Sequence, residues 1–136
     1  MVIKVLDEVN ASEMLRSEVY NYGDYISQYY INEFRTNNII PIGAYLGNTL
    51  IGALYLTPHG NIDQVFVKPE YQFSNYHVGS SLLIYVEDHL NELLDYGDLL
   101  CGKLYISPTS DKAERVYKSL GYRGTRLDGT LSKRVK

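Results

Sequence analysis

The sequence predicts a mixed α/β fold: a mostly antiparallel central sheet flanked by helices, in the order β-α-α-β-β-β-α-β-α-β-β. Three observations carry this expectation. Gly47–Asn48 and the Pro58–Asn61 cluster divide residues 39–68 into three strand-like runs, an antiparallel meander. Leu82, Leu83, Val86, Leu90, Leu93 and Leu94 fall at helical spacing after Gly79. Beyond them, strand, helix and hairpin signals follow one another to the end of the chain.

Taken in order, Val2–Leu6 reads as a short strand. Asn10 or Ser12 caps the next helix, whose Met14, Leu15, Glu18 and Val19 run up to the Tyr22–Gly23 break. Asp24 caps a second helix reaching Arg35. Ile39–Leu46 and Leu50–Thr57 form the hairpin, and Ile62–Lys68 is the third strand of the meander. A long helix runs from Gly79 to about Asp95 and ends before Gly97. Leu104–Ser107 is a short strand. Thr109 or Ser110 caps the last helix, Asp111–Leu120, and Gly121 stops it where a left-handed residue is favoured. Tyr122–Val135 holds a hairpin around Asp128–Gly129.

A chain of 136 residues suits one domain, so residues 1–136 are read as a single unit. Its 45% apolar and 21% charged residues are those of a soluble globular protein. No apolar run approaches the ~20 residues that span a bilayer. The opening MVIKVLDEVN puts acidic residues where a signal peptide needs its apolar core, so a cytoplasmic protein without a membrane partner is expected. A formal charge of −3 gives no electrostatic case for nucleic acid. Lys133, Arg134 and Lys136 read as an anion contact or as a solvated strand end or tail. The single Cys101 excludes an internal disulfide and offers no metal-ligand spacing; in its apolar segment it reads as a buried, inert thiol. His59 and His89 read as surface residues. Tyrosine occurs 14 times against 3 Phe and no Trp. That suits half-buried sheet faces or an interface with a second copy or a protein partner, and composition leaves the choice open.

The chemistry concentrates in Asp63–Leu83, DQVFVKPEYQFSNYHVGSSLL. A strand runs into a turn at Pro69, a polar loop, and a glycine that opens a helix. The first helical N–H groups have no partner inside the helix, and the macrodipole adds partial positive charge there. Such a segment is an anion site in waiting. Gly79 is a phosphate-approach glycine or a plain helix start. Ser80 and Ser81 are phosphate donors or caps, and His77 is a donor or a loop residue facing water. Further on, Tyr117 shares a helix face with Ala113 and Leu120, as a general acid or as core. No general base stands out; Asp63 and Glu70 are the nearest carboxylates, as bases or as solvated side chains.

Three segments together resemble the GNAT acetyltransferases, over nearly the whole chain. They are GNTLIGALYL, IDQVFVKPEYQ continuing into VGSSLL, and SDKAERVYKSLGY, where Ala113, Tyr117 and Gly121 recur at the family's spacing. The resemblance implies that acetyl-CoA lies where Ile62–Val67 splays from Leu104–Ser107. It implies that Phe66 and Val67 pair through their backbone with the pantetheine arm. Gln72, His77, Val78, Gly79 and Ser80 would cradle the pyrophosphate, and Tyr117 would protonate the leaving thiolate. Ser110 stands where many members carry Asn. The family's loop follows Gln or Arg, any two residues, Gly, any residue, then Gly or Ala. Counting back from Gly79 puts His77 at the first Gly and Ser74 at the Gln or Arg; alternatively Gln72 is the polar residue and the loop is two residues longer. The acceptor pocket would be built from the first two helices and the terminal hairpin. The function so implied is acetyl-CoA-dependent transfer of an acetyl group to a primary amine, its identity not legible. The other hypothesis is a non-catalytic protein of the same fold, serving as a binding or structural subunit.

Overall fold

The computed structural model describes residues 1–7, 32–33, 36, 38–72, 76–94, 99–124 and 128–135. The first two expected helices lie outside the described residues save for Asn32–Glu33, as do Ser74 and Gly97. Seven strands are present among the described residues: β1 (Val2–Val5), β2 (Ile40–Leu46), β3 (Thr49–Leu56), β4 (Asn61–Val67), β5 (Lys103–Ile106), β6 (Arg123–Gly124) and β7 (Leu131–Arg134). They form one sheet in the order β1-β2-β3-β4-β5-β7-β6. Every pairing is antiparallel except β4–β5. The helices are α1 (Val78–Asp88), α2 (Leu90–Leu93) and α3 (Asp111–Ser119).

The meander forms where the turn residues put it. Leu46 faces Thr49, so Gly47–Asn48 is a two-residue loop, and Gly47 carries φ +58°. Glycine takes that left-handed backbone most readily, and the two-residue turn it allows sets the register of both strands. The inward residues Ile42, Ala44, Ile51, Leu54, Leu56, Ile62, Leu104 and Ile106 then meet Val78, Leu82, Leu83 and Val86 of α1 in one core. Gly52 sets how closely α1 approaches: a Cβ there would lie 2.6 Å from Val78 Cγ1 and 3.1 Å from the Phe66 carbonyl oxygen. The first turn of α1 therefore rests directly on β3.

The long helix expected to about Asp95 is instead broken at His89 (φ −115°, ψ 18°). The His89 ring stacks on Tyr85 with centroids 4.0 Å apart, and its Nδ1 lies 3.0 Å from the Tyr85 carbonyl that also accepts the His89 N–H. Local bonding of a side chain to a helix carbonyl competes with helix continuation. The apolar stripe survives the break: Leu82, Leu83, Val86 and Leu90 are buried, and Leu93 and Leu94 are partly so. His89 is thus half-buried rather than a surface residue. Cys101 also departs from expectation. It is exposed, at φ 56° in the turn before β5, while Leu99 takes the buried place. Of the described tyrosines, Tyr55, Tyr105, Tyr117 and Tyr122 are buried, and only Tyr76 is largely exposed. The described tyrosines therefore supply core and sheet faces far more than surface.

Candidate active site

The site begins as a defect in the sheet. β4 pairs with β5 only at Asn61↔Tyr105 and Ile62↔Ile106. Beyond Ile62 the pairing stops. On its other edge, Ala53 faces Phe66 and Tyr55 faces Asp63, two steps along β3 against three along β4. The extra residue is a β-bulge, which bends its strand and re-aims side chains. Bent and unpaired, β4 splays from β5, and α3 lies across the opening with Tyr117 at the fork.

Two cavities meet at that fork. The larger, about 550 Å³, is lined from β4 by Phe66 and Val67, from the following turn by Tyr71 and Gln72, and from the start of α1 by His77, Val78, Gly79 and Ser80. Ser110, Ala113, Val116 and Tyr117 close it from α3. All eight residues expected around the cofactor therefore line one cavity, together with Tyr117. Among the described residues the lining holds no Lys, Arg, Asp or Glu, so what they offer an anion is dipoles and neutral donors rather than paired charge.

The donors are at the start of α1. There the Ser81 N–H donates to the His77 carbonyl at 2.9 Å. Val78, Gly79 and Ser80 occupy the first three helical positions, whose N–H groups a helix leaves unmatched. His77 takes φ 50°, ψ 49°, a left-handed backbone that favours glycine, and its side chain makes no cap bond. No acidic residue lies in the first turn. A Cβ on Gly79 would have only Val67 Cγ2 nearby, at 4.0 Å. Packing does not require glycine at this position.

Other expected residues have structural partners. Gln72 Nε2 donates to the Val67 carbonyl at 2.8 Å, which ties the end of β4 to the turn after it. Ser110 is the N-cap of α3; its Oγ accepts the Ala113 N–H at 3.1 Å. Glu70 is exposed and lines neither cavity, whereas Asp63 lines the smaller one. Lys133 is no solvated strand end. Its Nζ is 2.8 Å from Glu87 Oε1 on α1 and donates to the Leu120 carbonyl at 2.7 Å, so it locks the end of α3 to α1.

Tyr117 lines both cavities, shared with Val65 and Thr109. Only 8% of its surface is exposed, and burial raises its phenol above the usual value near 10. Just behind it, the Tyr122 N–H donates to the Tyr117 carbonyl at 3.1 Å. The Tyr122 hydroxyl is buried without a hydrogen-bond partner among the described residues, and its phenol is pushed far up by burial and then by the Glu87 charge.

The smaller cavity, about 450 Å³, was not legible residue by residue. Thr57, Asn61, Asp63, Tyr105, Ser107, Thr109 and Thr130 contribute its polar lining. Thr130, beside β7, is the terminal hairpin's contribution. The usable signal was period-two alternation on β4, which puts Asn61, Asp63 and Val65 on one side of the strand.

Solved structures of the same architecture span the whole chain. Aminoglycoside 6'-acetyltransferase type Ii matches with TM-score 0.70 at 18% identity, covering 100% of this chain and 98% of its own. An aminoglycoside 6'-N-acetyltransferase complexed with coenzyme A matches at TM-score 0.69 and 16% identity, with the same coverage. The acetyl-CoA complex of yncA from Salmonella typhimurium matches at TM-score 0.74 and 13% identity, covering 100% and 94%. These likenesses show the fold. No curated protein matches the chain in sequence. The family model for the acetyltransferase (GNAT) family matches residues 6–122, and the chain belongs to that family.

Proposed function

We propose that this protein is an acetyl-CoA-dependent N-acetyltransferase acting on a primary amine. The observation that carries the reading is the placement of Tyr117 at the junction of two cavities of different character. One has the start of α1 in its wall and, among the described residues, no carboxylate; it suits the phosphates and pantetheine arm of acetyl-CoA. The other holds a carboxylate and suits an amine. Neighbours of the same fold that act on aminoglycosides or bind coenzyme A support the reaction class. With both cavities formed, nothing favours the non-catalytic alternative.

In this reading the pyrophosphate sits on the N–H groups of Val78, Gly79 and Ser80, aided by Ser80 and His77. The pantetheine arm lies along Phe66 and Val67, as a strand added where β5 has departed. Ser110 stabilises the N-terminus of α3 beside it. The acceptor nitrogen, having lost its extra proton, attacks the thioester carbonyl, and a β4 N–H stabilises the oxyanion. The C–S bond then breaks, the Tyr117 hydroxyl gives its proton to the sulfur, and the proton shed by the nitrogen as the amide forms returns to the phenolate through solvent. Burial raises the phenol, so it is protonated at neutral pH and releases its proton only as negative charge builds on the departing sulfur. Positioned proton transfer contributes about 10²–10⁴-fold, and orientation of the two substrates the remainder.

The test is release of free thiol from acetyl-CoA in the presence of a broad amine panel, with product mass measured alongside. Acetyl-CoA-dependent N-acetylation of at least one amine is expected. Failure both to bind acetyl-CoA and to consume it with any amine overturns the proposal.

A further inference from the structure

α3 carries Tyr117 on a narrow packing face. Tyr117 is its only buried residue; Ala113 and Val116 are partly buried against the core. A helix held by so narrow a face takes its orientation from its ends. Ser110 caps the first turn. At the other end the chain closes in a Schellman turn, with Gly121 at φ +103°. There the Tyr122 N–H donates to the Tyr117 carbonyl and the Gly121 N–H to the Lys118 carbonyl, both at 3.1 Å. The Leu120 carbonyl in the same turn accepts from Lys133 Nζ at 2.7 Å. That lysine comes from β7, and its Nζ also lies 2.8 Å from Glu87 Oε1 on α1. A Cβ on Gly121 would lie 3.1 Å from Lys133 Cε, so the stem crosses directly over the turn. The two side chains are 30% and 19% exposed, and water screens such a pair less than it screens a surface one.

Resting on the transferase reading, we infer that Lys133 and Glu87 are positioning residues, which hold α3 at the rotation that brings the Tyr117 hydroxyl to the thioester sulfur. Lys133 grips the backbone three residues beyond Tyr117, in the turn that the Tyr117 carbonyl itself closes. Its charge also suits the negative end of the helix. Glu87 stands at the far end of α1, the helix whose first turn lines the larger cavity. The pair therefore ties the helix that bears the acid to the helix that borders the cofactor. Proton transfer needs hydrogen-bond reach, and a misplacement of about 1 Å can cost about 10²-fold in rate. A contact on the backbone of α3 thus governs turnover without touching either substrate.

Lys133→Met keeps the stem over Gly121 and removes only the donor and its charge. Adding Glu87→Gln leaves no unpaired carboxylate, which covers the case where the single variant folds poorly. Thiol release from acetyl-CoA is followed with ethanolamine, n-hexylamine and lysine methyl ester. Values of kcat and KM are taken for the amine that wild type acetylates fastest, and acetyl-CoA affinity comes from calorimetry. In both variants kcat should fall at least about tenfold, with acetyl-CoA affinity within about twofold of wild type. In a Tyr117→Phe background the same changes should lower kcat no further, since the hydroxyl they aim is gone. Glu114→Gln, which breaks the exposed Lys118–Glu114 pair within α3, should leave kcat unchanged. Folded variants with wild-type kcat overturn the inference, as does an equal loss in Glu114→Gln. So does loss of folding in both variants, or an equal loss of rate with and without the Tyr117 hydroxyl; either makes the pair a brace of the fold as a whole. A wild type that acetylates none of the three amines overturns the transferase reading, and this inference with it.

Discussion

Tyr117 separates the catalytic reading from a purely structural one. Tyr117→Phe keeps the ring and its packing and removes one proton. Turnover should fall at least about tenfold with acetyl-CoA affinity nearly unchanged, the sign of an interaction made in the transition state. An unchanged rate makes Tyr117 a core residue. The buried phenols also set a pH limit on stability. Tyr117 and Tyr122 both titrate above the usual value near 10. As pH rises past about 10, the unfolded chain releases these protons first and the folded one keeps them, so unfolding free energy declines with pH. Below about pH 10 the contribution is complete. Tyr122→Phe should flatten the decline, as denaturant titration between pH 9 and 11 will show; an equally steep decline contradicts it. At this scale the sequence was informative about which residue types cluster, and silent on what else holds them. Gly79 and His77 were legible because a strand–loop–helix carries its meaning locally. The Lys133–Glu87 pair was not, since a side chain's partner 46 residues away leaves no local pattern.

Among the elements, α1 carries the most weight. Leu83 and Leu90 are buried at 0% and 1% exposure, so Leu83→Ala or Leu90→Ala should each cost about 2–5 kcal/mol in denaturant unfolding. A loss below about 1 kcal/mol would mean that the stripe is not core. Gly52 makes a sharper case. Gly52→Ala drives a methyl against Val78 and lifts the first turn of α1 from β3. It should cost about 1–3 kcal/mol and weaken acetyl-CoA binding as well, because the same turn carries the N–H donors. Full acetyl-CoA affinity in that variant would detach the cradle from its seat on β3. The stripe was readable from spacing alone. The break at His89 was not, because ring stacking on Tyr85 and a shared carbonyl override a periodicity that continues unbroken to Leu94. The β4 bulge was equally hidden: nothing in IDQVFV tells a bulged strand from a flat one until β3 supplies the register.

For the molecule as a whole, the order of strands and helices was legible because turn residues, caps and an apolar helix agree at every step. The larger cavity follows from that order, since one continuous segment, residues 65–80, supplies most of its described lining. The smaller does not. Its wall is assembled from residues near 57, 63, 105, 109 and 130, which only the folded sheet brings together. The central claim is that the start of α1 holds the pyrophosphate of acetyl-CoA, and calorimetric titration of acetyl-CoA into wild type and Gly79→Asp tests it most directly. The site is open to a side chain, and a carboxylate in the first turn favours the helix, so the variant should fold normally. It also places bulk and negative charge where an anion must sit. The account predicts measurable binding to wild type and none to the folded variant; equal affinity in both would contradict it.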